Sequence, residues 1–202
     1  DLAILVAYGH IVPKDILENP KFHFLNVHPS LLPKYRGPSP IQSAILSGEN
    51  ETGVTIIKLD EELDHGPIIS QKSIAIENTD THATLTEKLG RLGANLLMEY
   101  LPKYVDGSIT PAPQAHKLAT ITQKITKKDG YINMENLPSK EELDRKTRAF
   151  YSWPTVWFEV GGKRFKLLPE NKIQPEGKLA LSIQEFKNGY PNVAKKLVEV
   201  IV

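Results

Sequence analysis

The chain has 202 residues, of which 40% are hydrophobic and 24% charged, and it contains no cysteine. This composition is typical of a globular protein and excludes disulfides and thiolate metal sites, so a reducing, cytoplasmic setting is the default expectation. No apolar run approaches the roughly 20 residues that span a bilayer, so no membrane-spanning segment is predicted.

The net charge of +1 is unevenly distributed along the chain. Residues 1–116 hold 9 Lys and Arg against 14 Asp and Glu, whereas residues 117–202 hold 16 against 10. An acidic half followed by a basic half indicates two modules, the second of which suits a polyanionic partner. The alternative is a chance gradient of solvated surface charge.

Short apolar runs in the first half predict four β-strands. They cover residues 2–8, 22–27, 53–59 and 67–76. The first three lack alternation, as expected of strands that are covered on both faces. Together with the predicted helices, they indicate an α/β domain over residues 1–107, formed by the later part of an open, mainly parallel, Rossmann-like sheet.

Two helices are predicted within this domain. A short one begins at Pro40 and ends at Gly48, a position where glycine commonly closes a helix. A long one carries leucines on one face, has a possible Thr84/Glu87 capping box and stops near Asp106.

The second half begins with a proline-containing stretch, residues 108–125, that reads as a linker. A charged helix over residues 139–150 follows, with a capping box at its start. Apolar runs on both sides of Gly161-Gly162 predict a β-hairpin, and one further strand is expected over residues 178–183. Residues 126–202 are therefore predicted to form a small basic domain of one helix and an antiparallel sheet.

Polar residues follow two of the predicted strands. Asn26 and His28 stand at the end of the second strand, and Asp60 and Asp64 follow the third. Loops at the carboxyl ends of parallel strands share one crevice, so an amide, an imidazole and a carboxylate are expected to meet there. This set suits attack of an amine on a carbonyl, because Asn and His can stabilise the oxyanion while a carboxylate orients the imidazole.

Each of these residues also has a purely structural interpretation. His28 could cap a loop, Asn26 could satisfy buried backbone groups, and Asp64 could solvate a turn. The rigid surroundings favour function, because prolines and Gly37 follow His28 closely. No metal site is predicted, and there is no glycine-rich dinucleotide or phosphate-binding motif.

The stretches "LNVHPSLLPKYRG" (25–37) and "LDEELDHGPII" (59–69) resemble the signature of the 10-formyltetrahydrofolate-dependent formyltransferases. The resemblance implies that Asn26, His28 and Asp64 are catalytic. Glycinamide ribonucleotide formyltransferases share this signature. Residues 36–56 instead resemble the methionyl-tRNA and amino-sugar branches, and residues 147–158 and 172–190 resemble the tRNA-binding domain of the methionyl-tRNA branch.

The resemblance implies transfer of a formyl group from 10-formyltetrahydrofolate to initiator methionyl-tRNA by a cytoplasmic monomer without a metal. It also implies folate contacts in the loop after the catalytic strand, with weaker candidates nearby. These are Ser30, Leu31, Leu32, Pro33, Tyr8, Val12 and Asp60. Basic residues are the candidates for phosphate contacts with tRNA. They are Lys124, Lys127, Lys128, Arg145, Arg148, Lys163, Arg164 and Lys166.

Two departures from the family pattern leave alternatives open. The sequence starts at what should be a later strand of the sheet, and the second domain is short, which predicts a reduced OB-like barrel. One alternative is an enzyme that formylates a small amine, such as a nucleotide-linked amino sugar or glycinamide ribonucleotide. Another is a truncated, non-catalytic fragment that binds RNA or a protein partner.

Overall fold

The structure, a computed structural model, describes the backbone of residues 1–201 and the side chains of residues 1–195 and Leu197. It divides into two compact units. The first contains residues 1–44, 49–77 and 84–124, and the second contains residues 45–48, 78–83 and 125–202.

The first unit is built on a four-stranded sheet with the order β1-β2-β3-β4. The strands are β1 (Ala3–Val6), β2 (Phe24–His28), β3 (Glu51–Lys58) and β4 (Ile68–Ala75). β1 and β2 are parallel, whereas the β2–β3 and β3–β4 pairs are antiparallel. The sheet is therefore mixed, and the prediction of a mainly parallel sheet holds only for its first pair.

The strands differ in how deeply they are buried. β3 is buried from Thr52 to Ile57, as its continuous apolar run predicts. β1 is not covered on both faces, because Ile4 is 39% and Val6 64% exposed. The prediction of burial was wrong for this strand, since its sequence resembles that of a buried strand while its environment is half open.

Three helices accompany this sheet in the sequence: α1 (Lys14–Leu17), α2 (Pro40–Leu46) and α3 (His82–Val105). α2 confirms the predicted short helix. α3 presents a buried row that includes Leu85, Leu89 and Leu96, as its periodicity predicts. It begins at His82, so Thr84 lies inside its first turn and not at the predicted cap position.

The predicted linker is largely a packed part of the first unit. Isolated bridges pair Ala112 with Ile68 and Ile121 with Arg36. A short 3-10 helix, His116–Leu118, lies between them. Residues up to Lys124 group with the first unit.

The second unit contains a three-stranded antiparallel sheet of β5 (Val156–Val160), β6 (Lys163–Leu168) and β7 (Lys172–Pro175). The predicted hairpin is confirmed, and Gly161 and Gly162 both adopt positive φ in its turn. Among the described residues these strands form an open sheet, so the predicted OB-like barrel is not closed.

Three α-helices complete the second unit: α4 (Lys140–Ala149), α5 (Ile183–Gly189) and α6 (Pro191–Ile201). α4 was predicted, with its Ser139/Glu142 capping box. α5 and α6 were not predicted, and the expected strand over residues 178–183 is reduced to one bridge between Leu181 and Ile173. The third strand instead precedes it, because residues 172–175 pair with β6.

Aromatic rings form much of the second unit's core. Phe158 and Phe165 stack with their centroids 5.2 Å apart, and Phe186 of α5 meets Phe165 edge to face at 5.7 Å. All three are fully buried, so α5 covers one face of the sheet.

Among residues 1–201, no helix combines the length and the apolar character needed to cross a bilayer.

Candidate active site

Asn26 and His28 lie on the same face of β2, because side chains alternate along a strand. Asp64 comes from the loop between β3 and β4. β3 runs antiparallel to β2, so its carboxyl end lies beside Leu25 and not beside His28. The three residues converge as predicted, but the reason differs from the predicted one. The loop of residues 59–67 brings Asp64 to β2, since the ends of β2 and β3 do not lie side by side.

The three side chains meet around the Asp64 carboxylate. Asn26 Nδ2 donates a hydrogen bond to Asp64 Oδ1 at 3.2 Å, and His28 Nδ1 lies 3.5 Å from the same oxygen. The Gly37 amide donates to Asp64 Oδ2 at 2.8 Å. His28 is 4% and Asp64 9% exposed. The carboxylate is thus held among donors in a site with little water, where electrostatic interactions are strengthened.

The backbone of this loop has a demanding conformation. Asp64 has a φ of 48°, in the left-handed region that asparagine and aspartate tolerate better than most residues. Two positions further, a Cβ on Gly66 would collide with the carbonyl oxygen of Lys58. Glycine at position 66 therefore lets the loop return closely past the end of β3.

His28 also has a partner on its other ring nitrogen. Nε2 lies 2.9 Å from the carbonyl oxygen of Tyr35, so this nitrogen donates to the carbonyl. Both nitrogens consequently face oxygen atoms. The ring is held between the loop after β2 and the Asp64 loop, which fixes its orientation.

The loop after β2 is held in place by further polar contacts. The Tyr35 hydroxyl donates to Glu49 at 2.7 Å, and Lys34 Nζ donates to the same carboxylate at 3.0 Å. These two donors lower the pKa of Glu49 below its ordinary value.

The candidate folate residues after β2 differ in accessibility. Ser30 is fully buried and its hydroxyl donates to the Lys34 carbonyl at 2.7 Å, while Leu32 is 3% exposed. Their side chains therefore stabilise the loop from inside. Leu31 and Pro33 are partly exposed and offer side-chain surface.

Polar residues on β3 and β4 support the loop after β2, and no motif in the sequence indicates them. Thr55 of β3 donates to the Ser30 carbonyl at 2.6 Å and accepts from the Leu32 amide at 3.1 Å. Gln71 of β4 donates to the Leu32 carbonyl at 2.9 Å. The available signal was a threonine within the otherwise apolar run of β3.

The weaker folate candidates are separated from this loop in sequence. Tyr8 is 55% exposed and lies edge to face with His10 at 5.7 Å. Val12 is half-buried. Asp60 binds its own loop, with Oδ2 2.7 Å from His65 Nδ1.

The eight basic candidates do not form one group. Lys124 belongs to the first unit, and the others belong to the second. Arg148 is mostly buried and donates to Asp144 at 2.8 Å and to the Asp80 carbonyl at 3.1 Å. Arg145 is half-buried beside Gly48. These two arginines stabilise the second unit and present little cationic surface.

The remaining candidates of the second unit are more open. Lys127, Lys128, Lys163 and Lys166 are exposed, and Arg164 is half-buried. The Arg164 guanidinium lies 4.4 Å over the Trp157 ring and also bonds Glu159 at 2.7 Å.

Two aromatic residues lie beside these cations, and no motif in the sequence indicates them. Tyr131 lies 4.9 Å from Trp157, and Trp157 Nε1 donates to the Lys127 carbonyl. The strand register pairs Trp157 with Lys166, which places both on the outer face of the sheet. Aromatic rings beside cations are a common surface for nucleic acids.

Comparison with known proteins adds family information. A family model described as "Formyl transferase" matches residues 1–101, and one described as "Formyl transferase, C-terminal domain" matches residues 124–172. The methionyl-tRNA formyltransferase of Enterococcus faecalis is 37% identical over 97% of this chain and 73% of its own length. Further methionyl-tRNA formyltransferases match at 39–44% identity, and the first four relatives are spanned over 54–73% of their length.

Solved structures share the fold. The Mycobacterium tuberculosis protein Rv3404c superposes with a TM-score of 0.74 at 25% identity, over 88% of this chain and 76% of its own. The formyltransferase PseJ of Anoxybacillus kamchatkensis, solved with a UDP-linked formamido sugar and tetrahydrofolate, is 34% identical over 59% of this chain and 62% of its own, with a TM-score of 0.54. The two family models and the Enterococcus relative together show that this chain belongs to the formyl transferase family.

Proposed function

We propose that this protein transfers the formyl group of 10-formyltetrahydrofolate to the α-amine of methionyl-tRNA. The observation that carries the proposal is the contact of Asn26 and His28 with one oxygen of Asp64, in a chain that is similar over 97% of its length to a methionyl-tRNA formyltransferase. The partner tRNA is the initiator species, which gives the protein a role in translation initiation in the cytoplasm.

The reaction forms one C–N bond and breaks another. The neutral amine of the methionyl group attacks the formyl carbon, and the carbonyl oxygen becomes an oxyanion. Asn26 donates a hydrogen bond to this oxyanion, and His28 donates to it from Nε2, which exchanges the Tyr35 carbonyl for the oxyanion. Asp64 orients the imidazole and accepts the proton released by the amine, directly or through water. Collapse breaks the bond between the formyl carbon and N10 of the folate, which takes up the proton and leaves as tetrahydrofolate.

Folate binds along the loop after β2 in this proposal. Leu31 and Pro33 contact it with their side chains, whereas Ser30 and Leu32 keep the loop in shape from inside. Tyr8, Val12 and Asp60 complete the candidate set. The Leu31 side chain packs against Gly53 of β3, where an added Cβ would approach its Cδ2 to 2.5 Å, so glycine at position 53 leaves room for this side chain.

The second unit contacts the tRNA backbone through its outer sheet face. Lys166 and Arg164 supply positive charge there, and Tyr131 and Trp157 supply rings for stacking. Lys127, Lys128 and Lys163 are further exposed candidates of the second unit, and Lys124 is a separate candidate of the first unit. Arg145 and Arg148 act as supports of the second unit. In this proposal, the first unit, into which residues 108–124 pack, is the catalytic domain, and residues 126–202 form the RNA-binding domain of a monomeric enzyme.

A panel of acceptors tests the proposal. Purified protein is incubated with 10-formyltetrahydrofolate and, separately, initiator methionyl-tRNA, a UDP-linked amino sugar or glycinamide ribonucleotide, and the formylated product is measured. Formylation of methionyl-tRNA alone supports the proposal. Formylation of a small amine and not of methionyl-tRNA contradicts the proposed acceptor, and binding of tRNA without any turnover supports the non-catalytic alternative.

A further inference from the structure

Gln114 links three parts of the first unit through one buried side chain. It is 5% exposed and lies in the segment that the sequence indicates as a linker. Its Nε2 donates to the carbonyl oxygens of Asp64 at 2.9 Å and Gly66 at 2.8 Å. Its Oε1 accepts from Nε and Nη2 of Arg36 at 3.2 and 2.7 Å. Every hydrogen-bonding position of the amide is thereby used.

The amide orientation follows from its partners. The two carbonyl oxygens can only accept and the Arg36 guanidinium can only donate, so the nitrogen must face the Asp64 loop. The exchanged orientation would place the amide oxygen against two carbonyls.

Arg36 lies directly before the residue that binds the Asp64 side chain. It is 6% exposed, and Gly37 donates its amide to Asp64 Oδ2 at 2.8 Å. The Arg36 amide donates to Thr120 at 2.9 Å, and the Arg36 carbonyl accepts from the Thr122 amide at 2.7 Å. Gln114 therefore makes two kinds of hydrogen bond: one to the backbone of the Asp64 loop, and one to the side chain of Arg36. Arg36 directly precedes Gly37, whose amide binds the Asp64 carboxylate.

His116 also connects Arg36 to the Asp64 loop. Arg36 Nη2 lies 2.9 Å from His116 Nδ1, and because a guanidinium can only donate, Nδ1 is the acceptor in this contact. The His116 ring stacks on His65, the residue after Asp64, with centroids 3.9 Å apart.

We propose that Gln114 is a positioning residue for Asp64, an inference that rests on the proposed formyl transfer. It holds the carbonyls of residues 64 and 66 and so stabilises the left-handed backbone of Asp64. In that conformation the carboxylate reaches Asn26, His28 and Gly37. Gln114 is buried beneath the loop, so its effect on the reaction passes through Asp64.

The test replaces Gln114 with methionine, which keeps the side-chain length and removes the amide. For Gln114→Met, we expect kcat for formyl transfer to fall on the order of 10- to 100-fold, because small displacements of a catalytic group are costly. The KM values for 10-formyltetrahydrofolate and methionyl-tRNA should stay within about twofold, since ground-state binding is not removed. Gln123→Met is the matched control, because Gln123 is an exposed glutamine of the same segment.

A double-mutant cycle separates positioning from general destabilisation. If Gln114 acts through Asp64, adding Gln114→Met to Asp64→Asn should lower kcat by less than about twofold beyond the single Asp64→Asn change. Multiplicative losses, or a kcat for Gln114→Met equal to that of the wild type, would overturn the inference. Gln114→Asn provides a second variant with an intact but shorter amide if the methionine variant does not fold.

Hydrogen exchange gives a readout that does not need turnover. Amides of residues 59–67 should exchange faster in Gln114→Met than in the wild type and in Gln123→Met. Unchanged exchange in this loop would overturn the inference even if the wild type shows no activity. Conversely, an active wild type with an unaffected Gln114→Met variant would contradict this inference and leave the proposed function standing.

Discussion

At the scale of single residues, Asp64 is the point on which the candidate site converges. Its carboxylate accepts from Asn26 and Gly37 and lies 3.5 Å from His28 Nδ1. Asp64→Asn keeps the shape of the side chain and removes its charge, and an NH₂ donor replaces one of the two acceptor oxygens. We expect kcat for formyl transfer to fall by about 10²- to 10⁴-fold, the usual contribution of a positioned acid or base.

The control for this change is Glu87→Gln. Glu87 is an exposed carboxylate on α3 that pairs with Arg91 at 2.7 Å, and such surface pairs contribute little to stability. Its kcat should equal that of the wild type. A kcat for Asp64→Asn within a factor of about three of the wild type would show that the carboxylate charge is not needed.

His82 provides a prediction about pH. Burial lowers the pKa of this histidine below its ordinary value of 6.5, because the charged form is less well solvated in the fold. Its neutral form is therefore favoured in the folded state, and its contribution to stability is present above pH 6.5 and is lost as the pH falls through the lower folded pKa. The urea midpoint should decline with acidification less steeply in His82→Gln than in the wild type. Identical slopes would contradict this assignment.

At the scale of elements, α3 carries two glycines with opposite surroundings. A Cβ on Gly90 would meet nothing within 4 Å, whereas a Cβ on Gly93 would lie 2.8 Å from Cγ1 of Val27 on β2. Gly90→Ala should raise the free energy of unfolding by about 0.5–1 kcal/mol, since glycine weakens a helix interior. Gly93→Ala should lower it by about 1–3 kcal/mol through overpacking. Urea denaturation of both variants tests this pair, and equal effects would contradict the close approach of α3 to the sheet.

The elements that sequence predicts well are those whose signal is local. The apolar runs of β2 and β3 and the capping box of α4 each lie within a dozen residues, and all were found. The antiparallel direction of β3 was missed, because strand direction depends on the connection through α2 and not on the apolar pattern. The sequence places Gln114 in a predicted linker, because its partners, Arg36 and Asp64, are distant in sequence and nothing local indicates them.

The same limit applied to the site. Asn26, His28 and Asp64 could be named because they stand in a recognisable motif. Their supports, such as Thr55 and Gln71, carry no motif, and their roles follow only from the pairing of β3 with β4.

At the scale of the whole molecule, charge is divided less sharply between the structural units than along the sequence. The first unit holds 11 Lys and Arg against 13 Asp and Glu, and the second holds 14 against 11. The difference narrows because Lys117 and Lys124 fold with the acidic unit, whereas Asp80 folds with the basic one. Local arrangement on the second sheet, more than net charge, is therefore expected to govern tRNA binding.

Salt dependence of tRNA binding tests this arrangement. Each phosphate contact contributes a slope of roughly −0.7 to −0.9 to the plot of log K against log salt concentration. Lys166→Gln should reduce the steepness of this slope by the amount of about one phosphate contact. Lys72→Gln should leave the slope unchanged, because Lys72 is an exposed lysine on β4 of the first unit. Equal slopes for both variants would remove the second sheet from the tRNA interface.

The most direct test of the account is formyl transfer from 10-formyltetrahydrofolate to methionyl-tRNA by the wild type and by His28→Ala under identical conditions. We predict formylmethionyl-tRNA from the wild type and a rate at least about 10²-fold lower from His28→Ala, because in the proposed mechanism the imidazole stabilises the developing oxyanion. A wild type that forms no formylmethionyl-tRNA, or a His28→Ala variant as fast as the wild type, would contradict it.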